Sequence, residues 1–328
     1  NTGEPAWRHA EILNETRESR PRIDLVVRMI ATVGNYDYKL DWVFTQWGMM
    51  RVEMGATGID IPKGVKSKSM SDRTAKSDTM YGTLVAPNIV LPNHDHFFSF
   101  RLDFDVDGPK NSFVRGQLQA VRLPKRNLRR SLWRVVPRVA KREKDAILTM
   151  NIRRPEIWRI VSTTAKNAVG NPTSYVLKPV GGAISLLSSN DWPQRRAAFS
   201  KNQLWVTPYK ADELYAAGLY PNQSKGNQGL AVWTRKNRRI ENTDIVVWYT
   251  LGFHHVTASE DWPVLPMMAE TKAFVIRPFN FFDRNPIINL PAKLMADKRA
   301  EKAKDGQKGA KTDPKAATKQ GTEKKKSN

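Results

Sequence analysis

The sequence predicts an all-β protein built as a large antiparallel β-sandwich. Short runs rich in Val, Ile, Phe, Thr and Tyr recur along the chain, and Gly, Pro and Asn separate them. Helical periodicity is scarce, and we find no internal repeat. The 328 residues, of which 40% are hydrophobic, are enough to bury a large core. Many short strands with turn signals between them are typical of a sandwich.

The predicted elements follow one another along the chain. Residues 1–22 form a polar, irregular lead-in, with a short amphipathic piece around Trp7 to Leu13. Strands are predicted at Leu25–Thr32, Tyr81–Ala86, His96–Asp105, Tyr175–Val180, Gln203–Thr207, Ile245–Gly252 and Ala273–Pro278. The helix candidates are Lys210–Ala217 and the Lys/Ala/Glu-rich tail. The sandwich domain therefore occupies residues 23–292, and residues 293–328 form a disordered, Lys-rich tail.

The net charge of +22 is concentrated in two stretches. The tail from Pro291 to Asn328 holds 12 Lys/Arg and 5 acidic residues, and Arg122–Arg159 holds 13 Lys/Arg and 3 acidic residues. The second stretch is predicted to be an insertion or a long loop. A basic nucleic-acid-binding protein would carry its charge on the folded core, among aromatic residues. That class is therefore a distant alternative, and no nucleic-acid partner is expected.

Several other classes are excluded by composition and motifs. The chain has no Cys, which excludes disulfides, thiolate metal sites and Cys nucleophiles. It has no apolar run of about 18 residues, so no membrane span is predicted. The G-x-S-x-G, Gly-rich phosphate-loop and H-E-x-x-H motifs are also absent.

Four of the five histidines form two close pairs. His94 and His96 lie in a predicted strand, where side chains at i and i+2 share a face, so both imidazoles can bind one metal ion. His254 and His255 end another predicted strand, and because neighbours point to opposite faces, only one of them can join the first pair. Three imidazoles without thiolate suit Cu²⁺ or Zn²⁺, and the affinity order favours copper. The alternative is two unrelated surface pairs.

A second candidate site consists of Asp103, Asp105 and Asp107, which alternate beyond the histidines. Alternate carboxylates on one strand face fit a hard cation such as Ca²⁺. The run also fits the first half of an EF-hand loop, but Val114 stands at the twelfth position, where that loop needs Glu. An EF-hand is therefore excluded. The alternative is a solvated acidic turn.

Together these motifs resemble the copper-containing primary-amine oxidases, oxidoreductases that make a topaquinone (TPQ) cofactor from one of their own tyrosines. The family's quinone motif, Thr-x-x-Asn-Tyr-Asp/Glu, matches residues 32–37, TVGNYD. Its Asn-His-x-His motif matches residues 93–96, NHDH. The strand of the third copper ligand, which precedes Glu-Asp-Trp-Pro, matches residues 243–263. The resemblance runs from about residue 22 to residue 291.

The resemblance implies roles for the residues of the quinone motif. Tyr36 would be the topaquinone precursor, flanked by Asn35 and Asp37 as further catalytic residues, and Thr32 would contribute to cofactor binding. The implied fold is the family's catalytic β-sandwich. The implied reaction is oxidative deamination of a primary amine to aldehyde, ammonia and hydrogen peroxide with O2, in a homodimer.

The resemblance also implies two metal sites. The copper ligands would be His94, His96 and His255, with His254 as the neighbour of the third ligand. A second, peripheral cation, Ca²⁺, would be held by Asp103, the Phe104 carbonyl, Asp105, Asp244 and the Ile245 carbonyl.

One family feature has no counterpart in this sequence. The family's catalytic base is an Asp well upstream of the quinone tyrosine, and 35 residues precede Tyr36, beginning at Asn1 without a Met. We therefore expect an N-terminally incomplete catalytic domain with little turnover by itself, since a general base contributes about 10²–10⁴-fold in rate. The alternative is a truncated or degenerate relative that binds copper without catalysis.

The amine and the location are not specified by the sequence. A cytoplasmic or peroxisomal location is expected. The chain nevertheless ends in Lys326-Ser327-Asn328, which is not the Ser-Lys-Leu peroxisomal signal.

Overall fold

The computed structural model of the protein describes residues 1–222, 224–268 and 273–291. These residues form seventeen strands: β1 Pro5–Glu11, β2 Thr16–Pro21, β3 Asp24–Val33, β4 Tyr36–Thr45, β5 Met50–Gly58, β6 Lys63–Gly64, β7 Gly82–Ala86, β8 Ile89–Pro92, β9 His94–Phe104, β10 Asn111–Arg122, β11 Ser131–Val139, β12 Glu156–Lys166, β13 Pro172–Val180, β14 Leu204–Pro208, β15 Ile245–His255, β16 Leu265–Met268 and β17 Ala273–Phe279. They also form three short α-helices, α1 Ala75–Asp78, α2 Trp192–Arg196 and α3 Leu230–Trp233. Four 3₁₀ turns are Glu143–Ala146, Ala198–Lys201, Thr234–Lys236 and Ser259–Asp261.

The prediction of an all-β, antiparallel sandwich is confirmed. The larger sheet has the strand order β11-β10-β12-β13-β17-β5-β4-β3, and β16 pairs with β5. A three-stranded sheet has the order β14-β15-β9, and a second one has the order β6-β8-β7. Every strand pair among the described residues is antiparallel. No helix in this part of the chain is both long and apolar enough to span a membrane.

The core lies between the nine-stranded sheet and the sheet of β9, β14 and β15. Val247, Tyr249 and Leu251 of β15 alternate toward it and pack in one cluster with Phe113 and Phe274 of the larger sheet. Each such fully buried side chain contributes about 1.5–3 kcal/mol. This packing fixes β15, and with it the ends of the strands that carry the histidines.

The opposite face of β15 is covered as well. Val246 and Trp248 pack with Trp205 and Leu230 in a second cluster. A central strand buried on both faces needs an apolar residue at nearly every position, which the sequence of β15 provides.

The chain divides into two compact units. The larger unit is Asp24–Pro286, and the smaller one joins Asn1–Ile23 to described residues that follow Pro286. In the smaller unit β1 and β2 form a hairpin. Trp7 Nε1 donates to the Ile287 carbonyl at 3.0 Å, and Arg20 lies over the Trp7 ring at 4.8 Å. The expectation of an irregular lead-in with an amphipathic piece was therefore wrong, because cross-strand pairing orders this polar segment.

Two further predictions are corrected. Lys210–Ala217 is a series of turns rather than a helix, and the carboxylate of Glu213 is bound there by Arg238 at 2.7 Å. Arg122–Arg159 is not one long loop, because it contains β11, which pairs with β10. The positive charge of this stretch indicated solvent exposure, and exposure is compatible with an edge strand. The predicted tail from residue 293 lies outside the described residues.

Strand β3 is present as predicted, but it is not buried. Its apolar side chains Leu25, Val27, Met29 and Ile30 are 54–66% exposed. Among the described residues β3 pairs only with β4, so it forms one edge of the large sheet.

Candidate metal centre

Three strand ends place the candidate residues at one end of the sandwich. Strand β9 begins at His94, β15 ends at His255, and their register pairs these two residues directly. Strand β4 begins at Tyr36 in the facing sheet. Because side chains alternate along strands, His94, His96 and His255 share the inner face and Tyr36 turns toward them.

The structure brings the three predicted copper ligands together. One ligand atom of each of His94, His96 and His255 lies within 4.8 Å of those of the other two. His96 and His255 are 7% and 3% exposed. His254 lies on the outer face of β15, and its Nδ1 contacts Asp95 Oδ1 at 2.6 Å. Alternation along the strand therefore separates His254 from His94 and His96. This arrangement leaves His255 as the member of the pair that lies beside them.

The hydrogen bonds of the imidazoles determine which nitrogens can bind a metal. His94 Nδ1 lies 2.9 Å from the Pro92 carbonyl, an obligate acceptor, so Nδ1 carries the proton and Nε2 offers a lone pair. His255 Nε2 lies 3.2 Å from Asp261 Oδ2, so Nδ1 offers a lone pair. His255 Nδ1 is buried and has no hydrogen-bond partner among the described residues. A buried lone pair without a donor fits a metal-binding nitrogen.

The third histidine is oriented by a tyrosine. The Tyr38 hydroxyl lies 3.0 Å from His96 Nδ1, so Nε2 is the nitrogen on the far side of the ring from Tyr38. Tyr38 stacks on Tyr36, with ring centroids 5.7 Å apart and an interplanar angle of 14°. Burial raises the pKa of Tyr38, which therefore keeps its proton at neutral pH.

Tyr36 is the residue most closely associated with the histidines. It is 5% exposed, and its hydroxyl lies 2.7 Å from His94 Nε2. The same hydroxyl also contacts Asp60 Oδ1, so its single proton can be donated to either of these two acceptors. The phenol is thus held at the nitrogen of His94 that would bind a metal, as oxidation of its ring by that metal would require.

The other residues of the quinone motif lie around the β3–β4 turn. Asp37 is on the opposite face of β4 from Tyr36, and its Oδ1 accepts a hydrogen bond from Thr32 Oγ1 at 2.5 Å. Asn35 is exposed, and its carbonyl accepts from Ile59 N at 2.8 Å. The structure therefore brings Tyr36 to the histidines, whereas Asn35, Asp37 and Thr32 shape the turn that carries it.

Sequence reasoning missed three residues that contact this centre. They are Tyr38, Asp60 and Asp261. Tyr38 could have been found, since i and i+2 on β4 share a face with Tyr36. Asp60 and Asp261 carried no such signal, because their positions depend on how separate segments pack. Burial raises the pKa of Asp60, while the nearby His255 and His94 act in the opposite direction.

The donor set fits copper and also fits zinc. Three neutral imidazoles bind both ions, and the affinity series places Cu²⁺ above Zn²⁺. Only copper can take part in the oxidation of a neighbouring phenol, because Zn²⁺ has no redox chemistry. A cavity of about 710 Å³ has His94, His255 and the exposed His254 in its wall, so this end of the sandwich is accessible from the surface.

The second predicted cation site is only loosely assembled. Asp103 and Asp105 lie at the end of β9, and Asp244 precedes β15, whose Ile245 pairs with Phe104. Asp244 Oδ1 is buried and has no hydrogen-bond partner among the described residues. Burial raises the pKa of Asp244, and the charges of Asp103 and Asp105 raise it further.

Two contacts modify this acidic group. Arg101 Nη1 contacts Asp103 Oδ2 at 3.3 Å, and Asp107 accepts a hydrogen bond from Thr173 at 2.5 Å. Asp107, the third residue of the alternating run, is thus engaged elsewhere. A divalent cation would relieve the repulsion that Asp244 experiences.

We expect Gly58→Ala to destabilise the fold at the strand pair that positions Tyr36. Gly58 pairs with Tyr36, has φ +107°, and a Cβ at this position would lie 2.4 Å from the Asn35 carbonyl oxygen. The backbone strain of about 1–2 kcal/mol adds to an overpacking cost of about 1–3 kcal/mol. Urea unfolding of the metal-free protein should therefore show a loss of about 2–5 kcal/mol.

Gly34→Ala is the matched control for this substitution. Gly34 has φ +64°, but a Cβ added at this position would meet nothing within 4 Å. Only the strain of about 1–2 kcal/mol should appear. Equal losses of stability in the two variants would contradict the close approach at Gly58.

Comparison with known proteins places these features in a family. The family profile described as "Copper amine oxidase, enzyme domain" matches residues 1–297. The chain is 45% identical over 291 residues to the copper-containing amine oxidase gamma 1 of Arabidopsis thaliana, covering 87% of this chain and 40% of that protein. It is 42% identical over 290 residues to the primary amine oxidase of Lens culinaris, covering 87% of this chain and 43% of that protein.

A solved structure shows the same fold. The copper-containing benzylamine oxidase of Hansenula polymorpha superposes with a TM-score of 0.78 at 31% identity, covering 88% of this chain and 44% of that one. The chain thus spans less than half the length of the relatives it matches.

Proposed function

Because this chain belongs to the copper amine oxidase family, we propose that it carries the copper and topaquinone centre of a primary-amine oxidase. The proposed reaction converts a primary amine to an aldehyde, ammonia and hydrogen peroxide, with O2 as the electron acceptor. One observation supports it above all: the buried Tyr36 hydroxyl lies 2.7 Å from His94 Nε2, within the group of three histidines.

Each residue has a proposed role at this centre. His94, His96 and His255 hold the copper, and Tyr36 is the topaquinone precursor. Copper would supply the redox chemistry that oxidises the Tyr36 ring, and the resulting quinone would accept the electrons of the amine. Asn35, Asp37 and Thr32 support the turn on which Tyr36 sits.

The surrounding contacts fix the orientation of these groups. The Pro92 carbonyl and Asp261 hold the protons of His94 and His255 on the nitrogens that face away from the metal. Such outer contacts determine the tautomer and the ring orientation of a metal-binding histidine. The partly buried Tyr38 ring stacks on the buried Tyr36 ring and restricts its movement.

Other parts of the proposed activity extend beyond this chain. We place the catalytic domain at residues 23–292, while the matched relatives are more than twice as long as the aligned region. The general base, the substrate channel, the choice of amine and the homodimer are proposals for the whole protein. Two Arabidopsis thaliana relatives are named peroxisomal, and a peroxisomal or cytoplasmic location is proposed here.

A second candidate function is copper binding without amine turnover. It is favoured by one observation: Asp60 and Asp261, the carboxylates described at this centre, are engaged by Tyr36 and by His255. Proton abstraction from a substrate would then depend on a base outside the described centre.

A peroxide assay separates the two functions. The copper-loaded protein is incubated with benzylamine, a primary amine, in air, and hydrogen peroxide and aldehyde are measured together. We expect peroxide and aldehyde in equal amounts. A longer chain that also contains the family's upstream catalytic Asp should produce them at a rate about 10²–10⁴-fold higher than this chain. Bound copper and quinone without any peroxide in either protein would favour the second function.

A peripheral Ca²⁺ site is also proposed, at Asp103, Asp105 and Asp244 with the Phe104 and Ile245 carbonyls. At about 100 times its Kd, a cation that binds only the folded state stabilises it by about 2.7 kcal/mol. We expect Ca²⁺ to raise the thermal midpoint of the wild-type protein, because Asp244, whose Oδ1 is buried, faces two like charges.

Asp244→Asn should remove most of this effect. The variant should also be more stable than the wild type in EDTA at neutral pH, because one of three repelling charges is gone. Thermal unfolding with and without Ca²⁺ checks both expectations. An unchanged response to Ca²⁺ in the variant would exclude Asp244 from the site.

A further inference from the structure

The β10–β11 hairpin projects beyond the neighbouring strand of the large sheet. Strand β10 pairs with β12 only as far as Gln117, whereas its pairing with β11 continues to Arg122. The end of β10 therefore extends about 16 Å past β12 as a two-stranded ribbon, at about 3.3 Å per residue. Leu123 N donates to the Arg130 carbonyl at 3.1 Å and closes the turn of residues 124–129.

The ribbon and its turn carry a large excess of positive charge. From Arg122 to Arg142 the sequence has nine Lys and Arg residues and no Asp or Glu. None of these nine forms an ion pair with a residue that the structure describes, whereas the exposed Arg28 is paired with Asp41 at 2.7 Å. Charge without internal partners creates a positive potential that attracts an anionic partner.

The same hairpin exposes large apolar side chains. Leu128 in the turn is fully exposed, and Leu132 and Trp133 of β11 are 42% and 69% exposed. A soluble polyanion, such as a nucleic acid or an acidic polysaccharide, would neutralise the arginines but would leave Leu128 without an apolar contact. A surface that combines negative charge with an apolar interior matches both properties of the hairpin.

We propose that the turn of the β10–β11 hairpin is a peripheral membrane-binding site for bilayers that contain anionic lipids. Arg126, Arg129 and Arg130 contact the lipid headgroups, and Leu128 enters the boundary between headgroups and acyl chains. Trp133 follows the turn closely, and Trp is favoured at the interface between membrane and water.

This site is separate from the proposed copper centre. In the strand order of the large sheet, β11 stands at one end, and the pair of β3 and β4 that carries Tyr36 stands at the other. The proposal therefore needs neither copper nor quinone, and the metal-free protein is suitable for its test.

The first test measures binding of the metal-free protein to vesicles of phosphatidylcholine and phosphatidylserine. Combined replacement of Arg126, Arg129 and Arg130 by Gln should weaken this binding by on the order of 100-fold, since each basic residue near an anionic surface contributes about fivefold. Vesicles of phosphatidylcholine alone should bind the wild type weakly, and high salt should abolish binding to the anionic vesicles.

A charge-matched variant is the control. Combined replacement of Lys63, Lys66 and Lys68 by Gln also removes three exposed charges, from a segment that begins at β6. This variant should bind anionic vesicles nearly as the wild type does. All variants keep the Lys-rich tail, so its attraction for the vesicles is common to them. Equal losses of affinity in the two triple variants would overturn the proposal.

Leu128→Gln distinguishes a membrane from a soluble polyanion. This substitution keeps every charge, so binding through charge alone would be unchanged. Loss of the inserted Leu should weaken binding to anionic vesicles by about 10-fold. Wild-type affinity for the vesicles in Leu128→Gln would contradict insertion of the turn and overturn the proposal.

A dye attached at position 128 provides an independent readout. Because the chain has no Cys, Leu128→Cys offers a single attachment point for an environment-sensitive dye. Its emission should shift to the blue on anionic vesicles and stay unchanged with duplex DNA. Val169→Cys is the matched control, since Val169 is 81% exposed in the β12–β13 turn, at the other end of β12 from the hairpin turn. The dye at position 169 should not respond.

Two results with the dye would overturn the proposal. The first is an unchanged emission of the dye at position 128 when binding to the vesicles has been verified by sedimentation. The second is a blue shift without vesicles that grows with protein concentration, because a second copy of the chain would then cover Leu128.

Discussion

Tyr36→Phe is expected to bind copper with nearly wild-type affinity and to form no quinone. The substitution keeps the ring in its buried place between the sheets and removes the oxygen that lies 2.7 Å from His94 Nε2. Without the phenol oxygen the ring cannot enter the oxidation that the copper would support. Mass spectrometry of the peptide containing residue 36, after copper loading in air, measures this directly.

Tyr38→Phe is the control for that experiment. Tyr38 is a second phenol on the same face, stacked on Tyr36, and its hydroxyl contacts His96 Nδ1 at 3.0 Å. This variant should still form the quinone at residue 36, and its copper affinity should fall by about 10–100-fold, as for other partners of metal-binding histidines. An oxygen-containing product at residue 38, or a quinone that survives Tyr36→Phe, would show that Tyr36 is not the precursor.

Among the variants discussed here, His255→Ala should cause the largest loss of copper affinity. It removes one of three imidazoles whose ligand atoms lie within 4.8 Å of one another. It also leaves the buried Asp60 and the partly buried Asp261 without their neighbour. Because contacts outside the ligand set already change affinity by about 10–100-fold, we expect the loss to exceed about 100-fold. Competition with a chelator of known affinity measures the change, and no quinone should form.

His254→Ala distinguishes ligation from general disturbance of the strand end. His254 is the chain neighbour of His255, but it lies on the outer face with Asp95. Its replacement should leave copper affinity within a small factor of the wild type. If the two alanine variants lost copper equally, the assignment of His255 over His254 would be wrong.

Much of the fold could be predicted because the signals are local. The sequence of β15 is apolar at nearly every position, and His94 and His96 sit two residues apart in an alternating strand. Such patterns depend on strand geometry alone. The helix predicted at Lys210–Ala217 failed because a tertiary contact, Arg238 with Glu213, determines that segment. The exposure of β3 could not be predicted either, since its apolar residues resemble those of a buried strand.

The candidate site was likewise predictable where local strand patterns determine it, and not where tertiary packing does. Alternation allowed only one of His254 and His255 to join the first pair, and the resemblance selected His255. The position of Asp60 depends on the register of β4 with β5, which pairs Tyr36 with Gly58. No local pattern specifies that register, so Asp60 became visible only in the folded structure.

The most direct measurement is the visible spectrum and quinone redox-cycling stain of the protein, purified metal-free and then given Cu²⁺ in air. We expect no quinone band before copper and a band with positive stain after it, with Zn²⁺ producing neither. The site geometry predicts this because Tyr36 and the three histidines already lie together. Copper verified as bound to the three histidines, with no quinone band and no stain, would contradict the proposed centre.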